Sequence, residues 1–485
     1  MWKTPLCKAA LTVLFAMFAG TTTAQEAPTA IVVQNQVALR AAPKDSAQQQ
    51  AVLWQGDTLE VRGERQEYLQ VYDHRRERGG YVRAAQVRRV GTAAQDAPAL
   101  ISVVRFLRDT PGAEALGIAY VAAYLKAVPG EAIDSEPFFA LGTMAERLAK
   151  RASSRHAKAD DTEIAAHLEV AASLGIAIRG IEREGRMLLC YDGEAFRRVL
   201  ALPAPDEQRA RAALALTRPE CIAPDLTPTQ RYDLDAWRSE VLTHAPRENL
   251  PEFLKNRLRL RSAGIQASFA FQRARRGEDA QASMELALRE FAAVNRTELA
   301  EEDASAYAEA AVRVGASRWA ATPVVPAART LAVTLEAGEP GQTCITLVDA
   351  ARKPLARRCT YATVWTQSAS ANASGTALAL AVQPLAGWRE LWVFQRVQGE
   401  WRVDVLPPGN DTPDVGYVEF AGWVPGKAQV LAAREAKIDG RFKRTFEVID
   451  LATLAVEKRA DDPASLSVFY RSQDAAWKKL TVALR

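Results

Sequence analysis

The spacing of apolar residues changes twice along this chain, and no single core can satisfy all three patterns. Between Ile31 and Val90 apolar and polar residues alternate, as in Leu59-Glu60-Val61 and Leu69-Gln70-Val71, which sends every second side chain to one face of a strand. From Pro98 to about Trp319 the period is helical, with Leu116, Tyr120, Ala123 and Tyr124 on one stripe. Beyond Ala321 short strand runs return in pairs. A length of 485 residues accommodates about three domains, and 48% apolar with 25% charged residues excludes wholesale disorder. The expectation is a mixed multidomain chain: a small all-β unit at 29–92, a mainly α-helical unit at 96–320 and an antiparallel all-β unit at 328–485.

The first 24 residues read as a secretory signal: Lys3 and Lys8, an apolar run from Ala9 to Gly20, then small residues Thr22 and Ala24 at the positions a signal peptidase reads. The run falls short of the roughly 20 residues needed to cross hydrocarbon, and no later stretch is a candidate span. A periplasmic or otherwise exported chain starting near Gln25 is expected. Its formal charge of +4 drops to +2 without those two lysines, too small an excess for a nucleic-acid footprint.

Export gives the cysteines a meaning. Cys190, Cys221, Cys344 and Cys359 remain, an even number in an oxidising compartment. Three pairings are possible; the nearest neighbours, 190 with 221 and 344 with 359, each fall inside one expected domain and are the preferred set. A zinc site is the rival, although there is no Cys-x-x-Cys pair and no histidine lies near a cysteine in sequence. Neither a metal nor a cofactor is expected. Glu163 and His167, four apart on a helix near His156 and Asp160-Asp161, are the nearest approach to a metal cluster, and an acidic helix start accounts for them. The arginine-rich stretch Asn256 to Arg261, with Arg273, Arg275 and Arg276 beyond, has the charge for an anion patch, but the acids Glu278, Asp279, Glu285 and Glu290 that follow favour a solvated mixed-charge helix surface. No His-Glu-x-x-His, Gly-x-Ser-x-Gly or phosphate-loop pattern occurs.

In the N-terminal unit the ordered pieces Val37-Ala38-Leu39-Arg40-Ala41-Ala42-Pro43, Leu53 to Gly56, Leu59-Glu60-Val61, Tyr68-Leu69-Gln70-Val71 and Gly80-Tyr81-Val82 ahead of Val87 resemble the bacterial SH3 family. That resemblance implies a small barrel that adheres to cell-wall polymers or peptides. Trp54, Tyr68, Tyr72 and Tyr81 are the groove candidates; alternation sets Tyr68 and Tyr72 opposite Leu69 and Val71. In the C-terminal unit, Ser374 to Ala381 with Arg389 to Phe394, and Gly422-Trp423-Val424-Pro425-Gly426 with Phe446 to Leu451, resemble the repeats of Tol-system periplasmic propellers. Three strand pairs and a final strand at Leu480–Leu484 are fewer than the blades of a closed ring, so an open, incomplete propeller-like sheet or a small ring closed by the last strand is expected. Trp388, in the turn Gly387-Trp388-Arg389-Glu390, is the exposed candidate there. The reading is an exported non-enzymatic envelope protein that binds or scaffolds peptidoglycan or envelope proteins; the alternative is an envelope hydrolase with its site in the helical unit.

Overall fold

The computed structural model describes residues 28–154, 162–183, 185–323, 330–409, 415–438 and 440–484, so the signal segment lies outside the described residues. The architecture is mixed: an N-terminal antiparallel sheet, a helical middle and a C-terminal region rich in sheet. The chain divides into two compact units. Among the described residues the first holds 28–132 and 162–176, and it therefore runs past the boundary the sequence suggested near residue 92.

Seven strands form the N-terminal sheet: β1 (Thr29–Val32), β2 (Val37–Arg40), β3 (Gln49–Leu53), β4 (Thr58–Arg65), β5 (Tyr68–Asp73), β6 (Arg78–Arg83) and β7 (Val87–Val90). Their order is β3-β2-β6-β5-β4-β1-β7. The alternation works as read, because Leu59, Val61, Leu69, Val71 and Val82 meet Val32, Leu39 and Leu53 in one core. Three helices, Ala97–Arg108, Glu114–Ala127 and Thr162–Ser173, complete this unit. They are fastened to the sheet through the turn after β3. Gly56 has φ +94°, and a Cβ there would sit 2.6 Å from the Ala115 carbonyl oxygen, so only glycine allows this approach. Beside it Asn35 Oδ1 accepts from the Gln55 amide at 3.2 Å and lies 2.9 Å from Nε2 of the fully buried His167.

The second unit begins with helices. Glu136–Ala152, Glu194–Ala201, Asp206–Leu216, Pro228–Thr243, Glu252–Arg275, Gln281–Ala292 and Ala304–Ser317 follow the helical periodicity. Thr227 caps the Pro228 helix as expected, its hydroxyl accepting from the Gln230 amide while Gln230 Oε1 accepts from the Thr227 amide at 3.0 Å. Asp206 is not a cap: Pro205 takes that place and Asp206 is the first helical residue, where its charge favours the helix dipole. The region also holds a hairpin the helical reading missed, β8 (Ile178–Arg183) and β9 (Arg186–Tyr191). Its inward residues, Ile181 and Cys190, are too few to set a visible period of two.

Both preferred disulfides are present. Cys190 joins Cys221, closing the Glu194–Ala201 and Asp206–Leu216 helical hairpin at its far ends, and Cys344 joins Cys359.

The C-terminal strands form three consecutive antiparallel meanders. β10 (Leu331–Ala337), β11 (Thr343–Asp349) and β12 (Pro354–Thr360) make the first, with Cys344 directly opposite Cys359. β13 (Thr363–Ala371), β14 (Ala377–Leu385), β15 (Trp388–Val397) and β16 (Glu400–Leu406) make the second. The third is β17 (Gly416–Trp423), β18 (Gln429–Ile438), β19 (Arg441–Asp450) and β20 (Val456–Ala460). A short parallel pairing, Trp388 with Gly416 and Arg389 with Tyr417, joins the second and third into one sheet. The second meander is apolar on both sides: Leu378, Leu380 and Val382 pack with Ile345 and Leu347 of the first, and Ala377, Ala379 and Val393 pack with Val418, Val430 and Ala432 of the third. The outer side of the third is covered by helices Ser467–Ser472 and Ala475–Leu484, through Phe469 and Trp477. The final strand read from the sequence at 480–484 is thus the end of a helix. Local β propensity at Thr481 and Val482 yields to the tertiary anchor at Trp477, whose ring meets Phe446 and Phe469 edge to face.

Candidate functional site

The core side of the N-terminal sheet is taken by Leu69, Val71 and Val82, so their neighbours in sequence face the other way. Cross-strand partners share a face, and the register builds three rows. Tyr68 stands between Arg65 and Arg83, Tyr81 between Gln70 and Arg40, and Tyr72 between Glu60 and Gly79. Tyr72 and Tyr81 are diagonal neighbours across β5 and β6, within reach of one extended ligand.

Tyr72 is half-buried and braced from one side. The Arg62 guanidinium lies 4.0 Å from its ring centre and the His74 ring meets it edge-on at 4.9 Å. Glu60 holds both partners, accepting from Arg62 Nε at 2.9 Å and lying 2.6 Å from His74 Nε2. The Arg62 hydrogen bond, with that of His74, lowers the Glu60 carboxyl below its ordinary value. Across the strand Gly79 has no side chain, and a Cβ there would touch Tyr72 Cδ2 at 3.7 Å. The glycine leaves that flank of the ring uncovered. Tyr81 is half-buried as well.

The other sequence candidates fare differently. Tyr68 is only 5% exposed, because the segment after β2 folds over it and its hydroxyl donates to Asp45 Oδ1 at 2.5 Å. That bond raises the phenol above its ordinary pKa, and Arg83 reaches the same carboxylate at 3.0 Å. Trp54 is buried in the turn after β3, where its amide donates to Asp57 Oδ2 at 2.9 Å, away from the tyrosine rows. Trp388, expected to be exposed, is 5% exposed. It opens β15 rather than standing in a free turn, and the pairing with Gly416 encloses it. The structure therefore brings Tyr72 and Tyr81 together on an accessible face and does not bring Trp54 or Trp388 to them.

The tip from His74 to Arg78 is not simply solvated. Arg75 and Arg76 turn back on the buried Asp57 at 2.9 and 3.0 Å, and Arg76 also reaches buried Asp73 at 2.6 Å. The tip is clamped beneath the tyrosine face. Sequence reading missed this clamp, since residues 57 and 73 come together only through pairing of the strands.

Of the residues weighed as a metal cluster and read instead as an acidic helix start, Glu163 lies in the first turn of the Thr162–Ser173 helix and His167 Nε2 is 2.9 Å from Asn35 Oδ1, while His156, Asp160 and Asp161 lie outside the described residues. Among the described residues no group of three or more His, Cys, Asp or Glu is placed to hold a metal. In the arginine stretch Arg257 pairs with Asp303 at 2.9 Å and Arg259 with Glu252 at 2.7 Å, whereas Arg261 departs from a solvated surface and donates to the Leu214 oxygen at 3.1 Å.

A second polar cluster, unforeseen from sequence, centres on Glu419. Arg389 Nη2 at 2.9 Å, Arg318 Nε at 3.1 Å and Trp477 Nε1 at 3.0 Å converge on its carboxylate. Burial by itself raises this carboxyl, but Arg318 and Arg389 outweigh it and hold the group at about 2. Arg389 Nη1 donates to the Gly315 oxygen at 2.6 Å, at the carbonyl end of the Ala304–Ser317 helix, where a cation suits the dipole. The cluster ties helix, sheet and C-terminal helix together, and all its groups are buried. No local pattern marks it: Arg389 is one of several polar residues, with Glu390, Gln395 and Arg396, in a strand that is apolar from Leu391 to Phe394.

Comparison with protein-family models, with curated proteins and with solved structures finds no match for the chain.

Proposed function

We propose that the chain is an exported, non-enzymatic envelope protein that binds a cell-wall polymer or a protein partner through the Tyr72–Tyr81 face of an SH3-like N-terminal module. The observation that carries this reading is the pairing of a braced, half-buried Tyr72 with a side-chain-free Gly79 beside it. Flat apolar rings with polar edges, set on a rigid sheet and left uncovered, suit an extended chain of sugars or peptide units. Two disulfides fit a chain made for an oxidising compartment. No helix among the described residues is long and apolar enough to cross a membrane. The three stacked meanders, with two helices over the outer side of the third, are compatible with an open, propeller-like scaffold. Recognition, with no bond made or broken, is the mechanism.

The test is sedimentation of the mature chain with purified peptidoglycan, alongside capture of partners from periplasmic extract. Retention that falls about tenfold in a Tyr72→Ala, Tyr81→Ala double variant of unchanged thermal stability is the expected result, corresponding to ~1.4 kcal/mol. Retention unaltered by the double variant, or turnover of a hydrolase substrate panel without retention, overturns the reading.

A further inference from the structure

The two disulfides sit in different electrostatic surroundings. At Cys190–Cys221, Arg218 presents Nη2 to both sulfurs, 2.7 Å from Cys221 Sγ and 3.8 Å from Cys190 Sγ. Its guanidinium is 8% exposed and is fixed from the other side by Glu146 at 2.8 Å and Glu220 at 3.1 Å. The remaining charges around this turn are mostly cations. Lys150 neutralises Glu146 at 2.8 Å, Arg183 donates to the Pro219 oxygen at 3.4 Å, and Arg261 from the Glu252–Arg275 helix bonds the Leu214 oxygen at 3.1 Å. At Cys344–Cys359, by contrast, the sulfur contact is Cys344 with Gln342 Oε1 at 4.0 Å.

A disulfide gains two negative charges when it is reduced and its thiols ionise. A desolvated guanidinium facing both sulfurs stabilises the thiolates, which favours the reduced form and makes the disulfide a better oxidant. We propose that Cys190–Cys221 is a site of reversible thiol–disulfide exchange with a dithiol reductant, and that Arg218 is the positioning residue that sets its readiness to react. Cys221 is half-buried and Cys190 fully buried, so the incoming thiolate attacks Cys221 Sγ. A mixed disulfide forms, the Cys190–Cys221 bond breaks, and its electron pair stays on Cys190 Sγ. The second thiolate of the reductant then attacks its own sulfur in the mixed disulfide and expels Cys221 as a thiolate opposite Arg218 Nη2. The reductant leaves as a cyclic disulfide, two electrons having passed to the protein. Opening the bond frees β9 from the Pro219–Cys221 turn, leaving the lone hairpin held by contacts such as Leu189 N to Ser153 Oγ at 2.7 Å. This inference is independent of the tyrosine face.

Equilibration of the oxidised protein across a dithiol/disulfide series, followed by alkylation and peptide mass spectrometry of each cysteine pair, tests it. In Arg218→Gln the reduction constant of 190–221 should fall at least tenfold, about 30 mV, with 344–359 unmoved as the internal control. No change, or an equal change in both pairs, overturns the proposal. Should that variant fail to fold, Cys190→Ser decides. Alkylation of the remaining Cys221 against pH should show a midpoint at least a unit below the ordinary value of about 8.5. A midpoint at or above that value overturns the proposal.

Discussion

The N-terminal sheet and the second C-terminal meander are both antiparallel and use their faces in opposite ways. β5 buries Leu69 and Val71 on one side and leaves Tyr72 half-exposed on the other. β14 is buried from Ala377 through Gln383, on both sides. One sheet has a single core and keeps its other face partly open. The other is the middle of a stack, which is why Trp365, Trp388 and Trp392 pack inside and Trp388 is unavailable. Aromatic content therefore says little about ligand binding until the number of covered faces is known.

The sharpest way to break this contrast is at the buried charge of the stack. Glu419→Gln leaves Arg318 and Arg389 uncompensated and should destabilise the protein by about 3–5 kcal/mol, read by denaturant unfolding. The same carboxylate predicts a pH dependence. Its pKa is depressed in the folded state, so its contribution is present above about 4.5 and is lost as pH falls toward about 2. Wild type should lose stability over that window more steeply than the Gln variant; equal slopes would assign the acid sensitivity elsewhere.

Leu380→Ala, in the doubly covered strand, should cost about 2–5 kcal/mol through the cavity it leaves. A smaller loss, of about 2 kcal/mol, is expected for Gly56→Ala in the N-terminal unit, where a positive φ and the Ala115 carbonyl both oppose a side chain. Thermal melts of the two variants side by side measure both. Smallest is Tyr72→Ala: its ring bridges Arg62 and His74 on an open face, so its stability should change by about 0.5 kcal/mol or less. A loss near that of Leu380→Ala would mean that the tyrosine face is core after all.

Much of the fold was legible where a short repeat governs it. Period two between Leu59 and Val71 fixes which side chains turn inward, and the Thr227-Pro228 pair announces a helix start because cap and first turn are local. Cysteine spacing found both disulfides, since one pair flanks a helical hairpin and the other faces across a β-hairpin. The misses share a cause. Residues 480–484 have strand-like composition but belong to a helix anchored by Trp477 against Phe446 and Phe469. The β8–β9 hairpin is too short to stand out from its helical surroundings.

The candidate site was half legible. Alternation put Tyr72 on the outer face, but Tyr68 was closed by Asp45, 23 positions away, through a bond no local pattern encodes. Arg218 beside the Cys190 sulfur, 28 positions away, and the convergence of Arg318, Arg389 and Trp477 on Glu419 are likewise contacts between distant segments.

By itself the sequence determined most of the strands and helices and which residues turn inward within them, because those outcomes depend on neighbours a few positions apart; the cysteine spacings of 31 and 15 residues also sufficed to pair the thiols. Only the tertiary structure decided which faces stay open and which charges are buried together. Burial is a property of what packs against a surface, and in this chain the covering elements come from segments far away along the backbone.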